Sequence, residues 1–234
     1  MSDLDRSYGF RVPVLTEDAN LRDALGRIAA LGHQAVPSAV GASITLIERG
    51  RSVTMGSSNE LAVELDVAQY DARDGPCLTA AREMRTIMTT AADAEVPEGW
   101  RLFRAACRRV GVAGSMSVPL MLGDDVEGGF NLYMGDAASV GPADLPLVSG
   151  FASHAAAIVL NARAYWAAAV LSQNLAVALE TRGVIERAKG VLMGAMGITA
   201  NEAFDELRKR SQRENRKLNV VAADLVGEPE PEEQ

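Results

Sequence analysis

A chain of 234 residues has room for one large domain or two small ones, and an apolar content of 48% is enough for an ordinary core. A formal charge of −8 excludes nucleic-acid affinity from the bulk of the protein, because phosphates demand cations. Two cysteines, Cys77 and Cys107, are too few for a disulfide framework, and the opening MSDLDRSYGF is mixed and charged, so a reducing, cytoplasmic setting is expected.

The charge is unevenly spread. Residues 1–170 hold 14 arginines and no lysine against 20 acidic residues, a balance of −6. Residues 171–226 hold 9 basic residues against 7 acidic ones, and all three lysines, Lys189, Lys209 and Lys217, lie there. Such asymmetry implies separate roles for the two parts.

In chain order, residues 1–17 show no period and read as a loose arm. In LRDALGRIAALG, Leu21, Leu25, Ile28 and Ala29 fall at helical spacing, with Gly32 as the expected stop. Two β-prone runs, 42–47 and 52–57, flank a turn at 48–50 and read as a hairpin. NELAVELDVAQYDAR is helix or loop; Gly75-Pro76 then punctuates the chain before a short helix. TIMTT is a strand and GWRLFRAACRRVG a helix. SMSVPLML and GGFNLYMG are two more strands around a Gly123-Asp124-Asp125 turn. From Pro142 the pattern is helical almost to the end. The uncharged run 145–162 approaches membrane-spanning length, but Pro146, Ser149, Gly150, Ser153, His154 and Asn161 mark it as a buried soluble helix. About five strands with helices before, between and after them predict an α+β fold, an antiparallel sheet flanked by helices.

A long helix is expected to join this part to the rest. Along it Ala168, Leu171, Leu175, Ala178, Arg182, Ile185, Lys189 and Leu192 recur at alternating spacings of three and four. That is a heptad-like seam suited to a dimeric coiled coil; an amphipathic helix packed on its own domain is the alternative.

The last quarter predicts three helices in a small all-α bundle. Val184, Ile185, Ala188, Val191, Leu192 and Ala195 form the stripe of the first, with Gly190 beside it for close approach of another backbone and Gly197 as its end. Thr199 and Glu202 form a capping box for the second, whose inner face takes Ala203, Phe204, Leu207 and Ser211. Leu218, Val221, Ala222 and Leu225 give the third its stripe, and Gly227 and Pro229 end it.

These residues resemble the ANTAR domain, an RNA-binding module of bacterial transcription antiterminators. The resemblance rests on AKG-x-LM (Ala188, Lys189, Gly190, Leu192, Met193), EAF-x-x-LR (Glu202 to Arg208) and KL-x-x-VA (Lys217 to Ala222), in that order, over 173–226. It implies a dimer that captures paired hairpins in leader RNA. Arg182, Arg187, Lys189, Arg208, Arg213 and Lys217 are the candidate RNA-binding residues, set on or beside polar helix faces where phosphates could be met. A solvated face laced with Glu186, Asp205, Glu206 and Glu214 is the plainer reading of the same charges. Phe204, the one aromatic, is expected in the core rather than under a base.

The first part resembles a GAF domain, a fold commonly used as a sensor. Its markers are the DGPC tetrad (Asp74 to Cys77), the strand S-x-SVPL (Ser115 to Leu120) and GGFNLY (Gly128 to Tyr133). The resemblance implies a pocket over the sheet, with Tyr70, Cys77, Trp100, Phe103 and Tyr133 as candidate ligand-binding residues; burial in an apolar core is the alternative for each. It does not identify the ligand. Cys77 at a helix start permits a lowered thiol pKa and redox sensing, while a small buried cysteine is the simpler role.

No cofactor, metal site or catalytic set is predicted. His33 and His154 have no ligand spacing, and a reductase pair of Cys77 and Cys107 lacks further cysteines. The expected organisation is an arm (1–17), a GAF-like sensory domain (18–162), a helical connector (163–172), an ANTAR domain (173–227) and an acidic tail (228–234). The expected function is a cytoplasmic, dimeric, signal-responsive antiterminator that binds hairpin RNA, does not enter a membrane, and takes a small-molecule or redox signal. A DNA-binding repressor with a C-terminal helix-turn-helix, or a structural dimerisation module, are the alternatives.

Overall fold

The computed structural model describes residues 18–123 and 126–227. The expected arm, Asp124 and Asp125 of the expected turn, and the acidic tail lie outside the described residues. Two compact units meet between Tyr165 and Trp166, inside one continuous helix.

The first unit begins with α1 (Ala19–Ala35), capped by Asp18, whose carboxylate accepts from the Leu21 N–H at 3.1 Å. The helix does not stop at Gly32. Its buried stripe is Leu21, Leu25, Ala29 and Gly32, and a Cβ on Gly32 would sit 2.5 Å from the ring of Phe130. That glycine serves packing, not termination. Strands β1 (Ala39–Glu48) and β2 (Arg51–Ser57) form the expected hairpin. Its two-residue loop puts Arg49 at φ 53° and Gly50 at φ 76°, the left-handed pair that suits strand twist.

Helices α2 (Glu60–Ala72) and α3 (Pro76–Glu83) follow, then β3 (Ile87–Thr90), α4 (Arg101–Val110), β4 (Gly114–Pro119) and β5 (Val126–Met134). The sheet order is β2-β1-β5-β4-β3, antiparallel throughout. The DGPC tetrad is the hinge into α3. Gly75 has φ 156°, which side chains disfavour, and a Cβ there would strike Gln69 at 2.5 Å. Asp74 accepts from the Gly75 N–H at 2.8 Å, and Pro76 starts the helix where no N–H is needed.

Side chains alternate across a strand, so this sheet has two unlike faces. Ala42, Ile44, Leu46, Met116, Val118, Phe130 and Leu132 make one face, buried and apolar. It packs on α1 and on the start of α5 (Leu145–Met196), where Phe151 stacks on Phe130 with ring centroids 6.1 Å apart. The other face carries Ser43, Thr45, Ser115, Ser117, Asn131 and Tyr133, also buried, under α2 and α3.

Helix α5 is 52 residues long, and by length and composition alone it could cross a membrane. Its first turns are instead packed in the sheet domain through Val148, Ala152, Ala155, Ala156 and Val159. The heptad-like seam is exposed at Ala168, Leu171, Leu175, Ala178 and Arg182, then sinks at Leu192 into the second unit's own core.

That unit packs the end of α5 with α6 (Ala200–Glu214) and α7 (Leu218–Val226). The expected first helix of the bundle is thus the last part of α5. Its core is small: Val184, Ala188, Leu192, Ala203, Leu207, Ala222 and Ala223. The capping box forms, with Thr199 N–H donating to Glu202 at 2.8 Å. Three expectations fail here. Val191 and Ala195 are exposed; Phe204 is 40% exposed rather than core; and nothing lies within 4 Å of a Cβ built on Gly190. The stripe is narrower than drawn because α6 and α7 together cover only the arc from Val184 to Leu192.

Gly190→Ala is therefore expected to raise stability by about 1 kcal/mol through helix propensity. Gly32→Ala, which drives a methyl into the Phe130 ring, is expected to lower it by about 1–3 kcal/mol. Urea unfolding of the full chain reads both; the opposite order would show that Gly190, not Gly32, is the crowded position.

Candidate functional site

Beneath α2 the polar sheet face converges on one side chain, Asp66, which is fully buried. Ser43 donates to its Oδ1 at 2.9 Å, Tyr133 at 2.5 Å and Asn131 at 3.4 Å, while Thr54 donates to Oδ2 at 2.8 Å. Strands β1, β2 and β5 are all tied to α2 in this way. Among the described residues no lysine, arginine or histidine is its partner.

The neighbours are ordered around the charge. Thr54 spends its proton on Asp66, so Tyr70 must donate to Thr54 and Thr45 to Tyr70, each at 2.9 Å. Asn131 donates in turn to Thr45 at 3.2 Å and to the Cys77 sulfur at 3.2 Å. Tyr133 accepts from Gln69 at 3.3 Å, and Gln69 accepts from the Cys77 N–H at 2.8 Å. On the same face Ser115 Oγ, Ser117 Oγ and Asn131 Oδ1 are buried with hydrogen-bonding capacity unspent.

Burial dominates the electrostatics. It pushes the Asp66 carboxyl up to about 6, against the hydrogen bonds from Tyr133, Thr54, Ser43 and Asn131 that favour the carboxylate. Burial, then the Asp66 charge, raises the Tyr70 and Tyr133 hydroxyls and pushes the Cys77 thiol up to about 12. The helix start therefore does not make Cys77 a thiolate; it is a small buried cysteine inside the polar cluster. Burial also pushes Cys107 up to about 12.

Of the five candidate ligand residues, Tyr70, Cys77 and Tyr133 meet around Asp66. Phe103 packs beside the Tyr133 ring, with centroids 6.4 Å apart. Trp100 stands elsewhere, against Ala80 and Ile87, on an open groove of about 640 Å³ that also exposes Asp74, Arg82 and Asp93. Sequence reading missed Asp66, Asn131, Gln69, Thr45 and Thr54. A signal was present on the strands alone: Ser43 and Thr45 flank Ile44, and Ser115 and Ser117 flank Met116, so polar residues alternate with apolar ones there. Among the described residues no group of three His, Cys, Asp or Glu could hold a metal.

In the helical unit the six candidate RNA residues occupy different faces. Arg182 is exposed and makes no ion pair among the described residues; Arg187 is exposed on another side of α5. Lys189 is largely covered, its side chain 16% exposed and its ammonium 2.9 Å from Glu186. Arg208 is exposed beside Asp205 at 3.4 Å, and Arg213 lies 3.8 Å from Glu214. Lys217 is exposed at the start of α7. Lys209, not among the six, is exposed on α6 without an ion pair among the described residues.

A family model described as GAF domain matches residues 18–159, and one described as ANTAR domain matches residues 173–226. A search of curated proteins found no match. Among solved structures the chain is similar to type II free methionine-R-sulfoxide reductase from Thermoplasma acidophilum, with 13% identity over 62% of this chain and 95% of that one, TM-score 0.45. It is similar to a GAF domain/HD domain protein from Geobacter sulfurreducens, with 15% identity over 67% and 99%, TM-score 0.44. The GAF domain of a two-component sensor histidine kinase from Bacillus halodurans gives 12% identity over 62% and 92%, TM-score 0.40. Likenesses at this level carry no argument about chemistry.

A raised carboxyl pKa has a measurable sign. Folded Asp66 holds its proton up to about pH 6, whereas its ordinary value is 3.8. Between those values the folded state binds more protons at Asp66, so this group's contribution to stability is full below pH 4 and is lost as pH rises through 6. The difference amounts to about 3 kcal/mol at pH 7. Asp66→Asn, whose amide can accept from Tyr133 and donate to Thr54, should gain stability over wild type as pH rises from 4 to 7.5. A constant difference across that range would place no titrating charge at Asp66.

Proposed function

Since the chain belongs to the GAF domain family and carries an ANTAR domain behind it, we propose that it is a signal-responsive antiterminator that captures paired hairpins in leader RNA. GAF domains are sensors and ANTAR domains bind RNA in antitermination; both are regulatory and non-catalytic. The carrying observation is the ANTAR match at 173–226, over the stretch where the chain's charge turns positive and its three lysines lie. We read the whole chain as a cytoplasmic, non-enzymatic homodimer.

Three features support the mechanism. The buried polar face around Asp66, with its unspent hydrogen-bonding capacity, suits a small polar signal. Adjacent residues of β5 link that face to α5: Asn131 lies in the Asp66 cluster, and Phe130 stacks on Phe151. Along α5 an apolar row, Leu171, Leu175 and Leu179, is 60%, 55% and 69% exposed. A second copy would cover that row as a short coiled coil over 168–179, leaving Arg182 outside it, since the heptad beyond is used in the bundle's own core. Signal then acts by population shift, favouring one setting of α5 in the dimer over another. Both RNA-binding units of the dimer engage one hairpin each.

Among the candidate contacts we read Arg182, Arg187, Arg208, Arg213 and Lys217, all exposed, as the groups that meet phosphates. Lys189 would first have to leave Glu186, while Lys209 joins the set. Affinity should fall with salt by roughly 0.7–0.9 log unit per contact for each tenfold rise. Arg182→Ala and Lys209→Ala should each flatten that slope by about one contact, and Lys189→Ala by less. Anisotropy titrations with two-hairpin RNA, a scrambled RNA and duplex DNA measure this. Equal affinity for all three, or tightest binding to the duplex, overturns the RNA assignment and favours a helix-turn-helix repressor. Sedimentation at micromolar concentration should report a dimer, and a monomer would remove the coil.

A further inference from the structure

The exposure of Phe204 has a specific consequence. It is the only aromatic beyond Trp166, and the bundle around it is built largely from alanines. A ring of this size would contribute most to stability inside that core, yet it is 40% exposed while Ala203 and Leu207 fill the interior. Helical spacing sets its company. Asn201, Phe204, Arg208 and Gln212 are all exposed and lie along one side of α6, at spacings of three, four and four. The Asn201 and Gln212 side chains hydrogen-bond no protein group among the described residues. The Arg208 guanidinium, one turn from the ring, is held near Asp205 at 3.4 Å in an exposed pair that contributes little and is easily exchanged.

An aromatic face, a guanidinium plane and two free amides in one row are the side-chain chemistry that reads unpaired bases. Loop bases stack on aromatic rings and arginine planes, and amides meet their edges. A purely phosphate-binding face would need only cations. We propose that Phe204, with Arg208 one turn on, stacks an unpaired base of the hairpin loop and so sets loop specificity. This rests on the RNA-binding reading above and adds to it the side chains that hold a loop base.

The test uses the full chain and two-hairpin RNAs enriched by wild-type protein from a random-loop library. 2-Aminopurine is placed at each loop position in turn. One position should change its emission on binding wild type and the Phe204→Tyr variant, and not on binding Phe204→Leu. Phe204→Leu should bind roughly tenfold or more weakly, at unchanged salt slope and unchanged sedimentation. An abasic nucleotide at the reporting position should weaken wild type by a similar factor and abolish its advantage over Phe204→Leu. Equal affinity of wild type and Phe204→Leu overturns the stacking role while leaving RNA binding intact. Conversion of the dimer to a monomer by Phe204→Leu overturns it in favour of a protein contact. Full sensitivity of Phe204→Leu to the abasic change overturns it even if that variant is destabilised. Failure of wild type to enrich any hairpin removes the RNA-binding reading itself.

Discussion

Asp66 is the constraint around which the first unit is arranged. A carboxylate taken out of water without a cation is costly unless hydrogen bonds replace its hydration. Here Ser43, Thr54, Asn131 and Tyr133 supply them from three different strands, while Asp66 itself belongs to α2. Helix and sheet are therefore held in one register by a single group. The same demand explains why the sheet face below it is polar: each hydroxyl orients the next, from Asn131 through Thr45 and Tyr70 to Thr54. Four hydrogen bonds only partly offset burial, so the carboxyl stays poised near neutrality.

The opposite sheet face is an ordinary apolar core, and the contrast between the two faces is what makes the domain suited to sensing. A packed apolar face transmits displacement because it has few voids to absorb it. A polar face can change its hydrogen bonds or its charge at modest cost. Since alternate residues of β5 belong to the two faces, Asn131 in the Asp66 cluster is the chain neighbour of Phe130, which stacks on Phe151 of α5.

In the helical unit the economy runs the other way. Its core is nearly all alanine and leucine, so the helices approach closely and their larger and charged residues are left outside. The exposed basic residues, the Phe204 row and the leucines before Arg182 are all left outside the core, and the proposed contacts draw on them. Intrahelical pairs such as Lys189 with Glu186 temper the positive charge, which keeps a protein of −8 overall from binding nucleic acid by charge alone.

The sequence by itself determined the elements and their order. Hydrophobic spacing marked α1, the hairpin, the last strands and the long helix, because period and turn chemistry are local. Capping at Thr199 and Glu202 was legible for the same reason. The ordered ANTAR and GAF motifs determined the two families. Tertiary structure alone decided what depends on which face meets which. Gly32 looked like a stop until the Phe130 ring lay against it. Phe204 shares an apolar helix with Ala203 and Leu207, and only the narrow reach of α7 and α5 left it outside. Asp66 was hidden because a single aspartate in a helix reads as solvated; three strands had to converge before it became the centre of a polar core. Lys189 and Trp100 show the same limit: a motif position or an aromatic names a residue, but its neighbours across the fold decide what it touches.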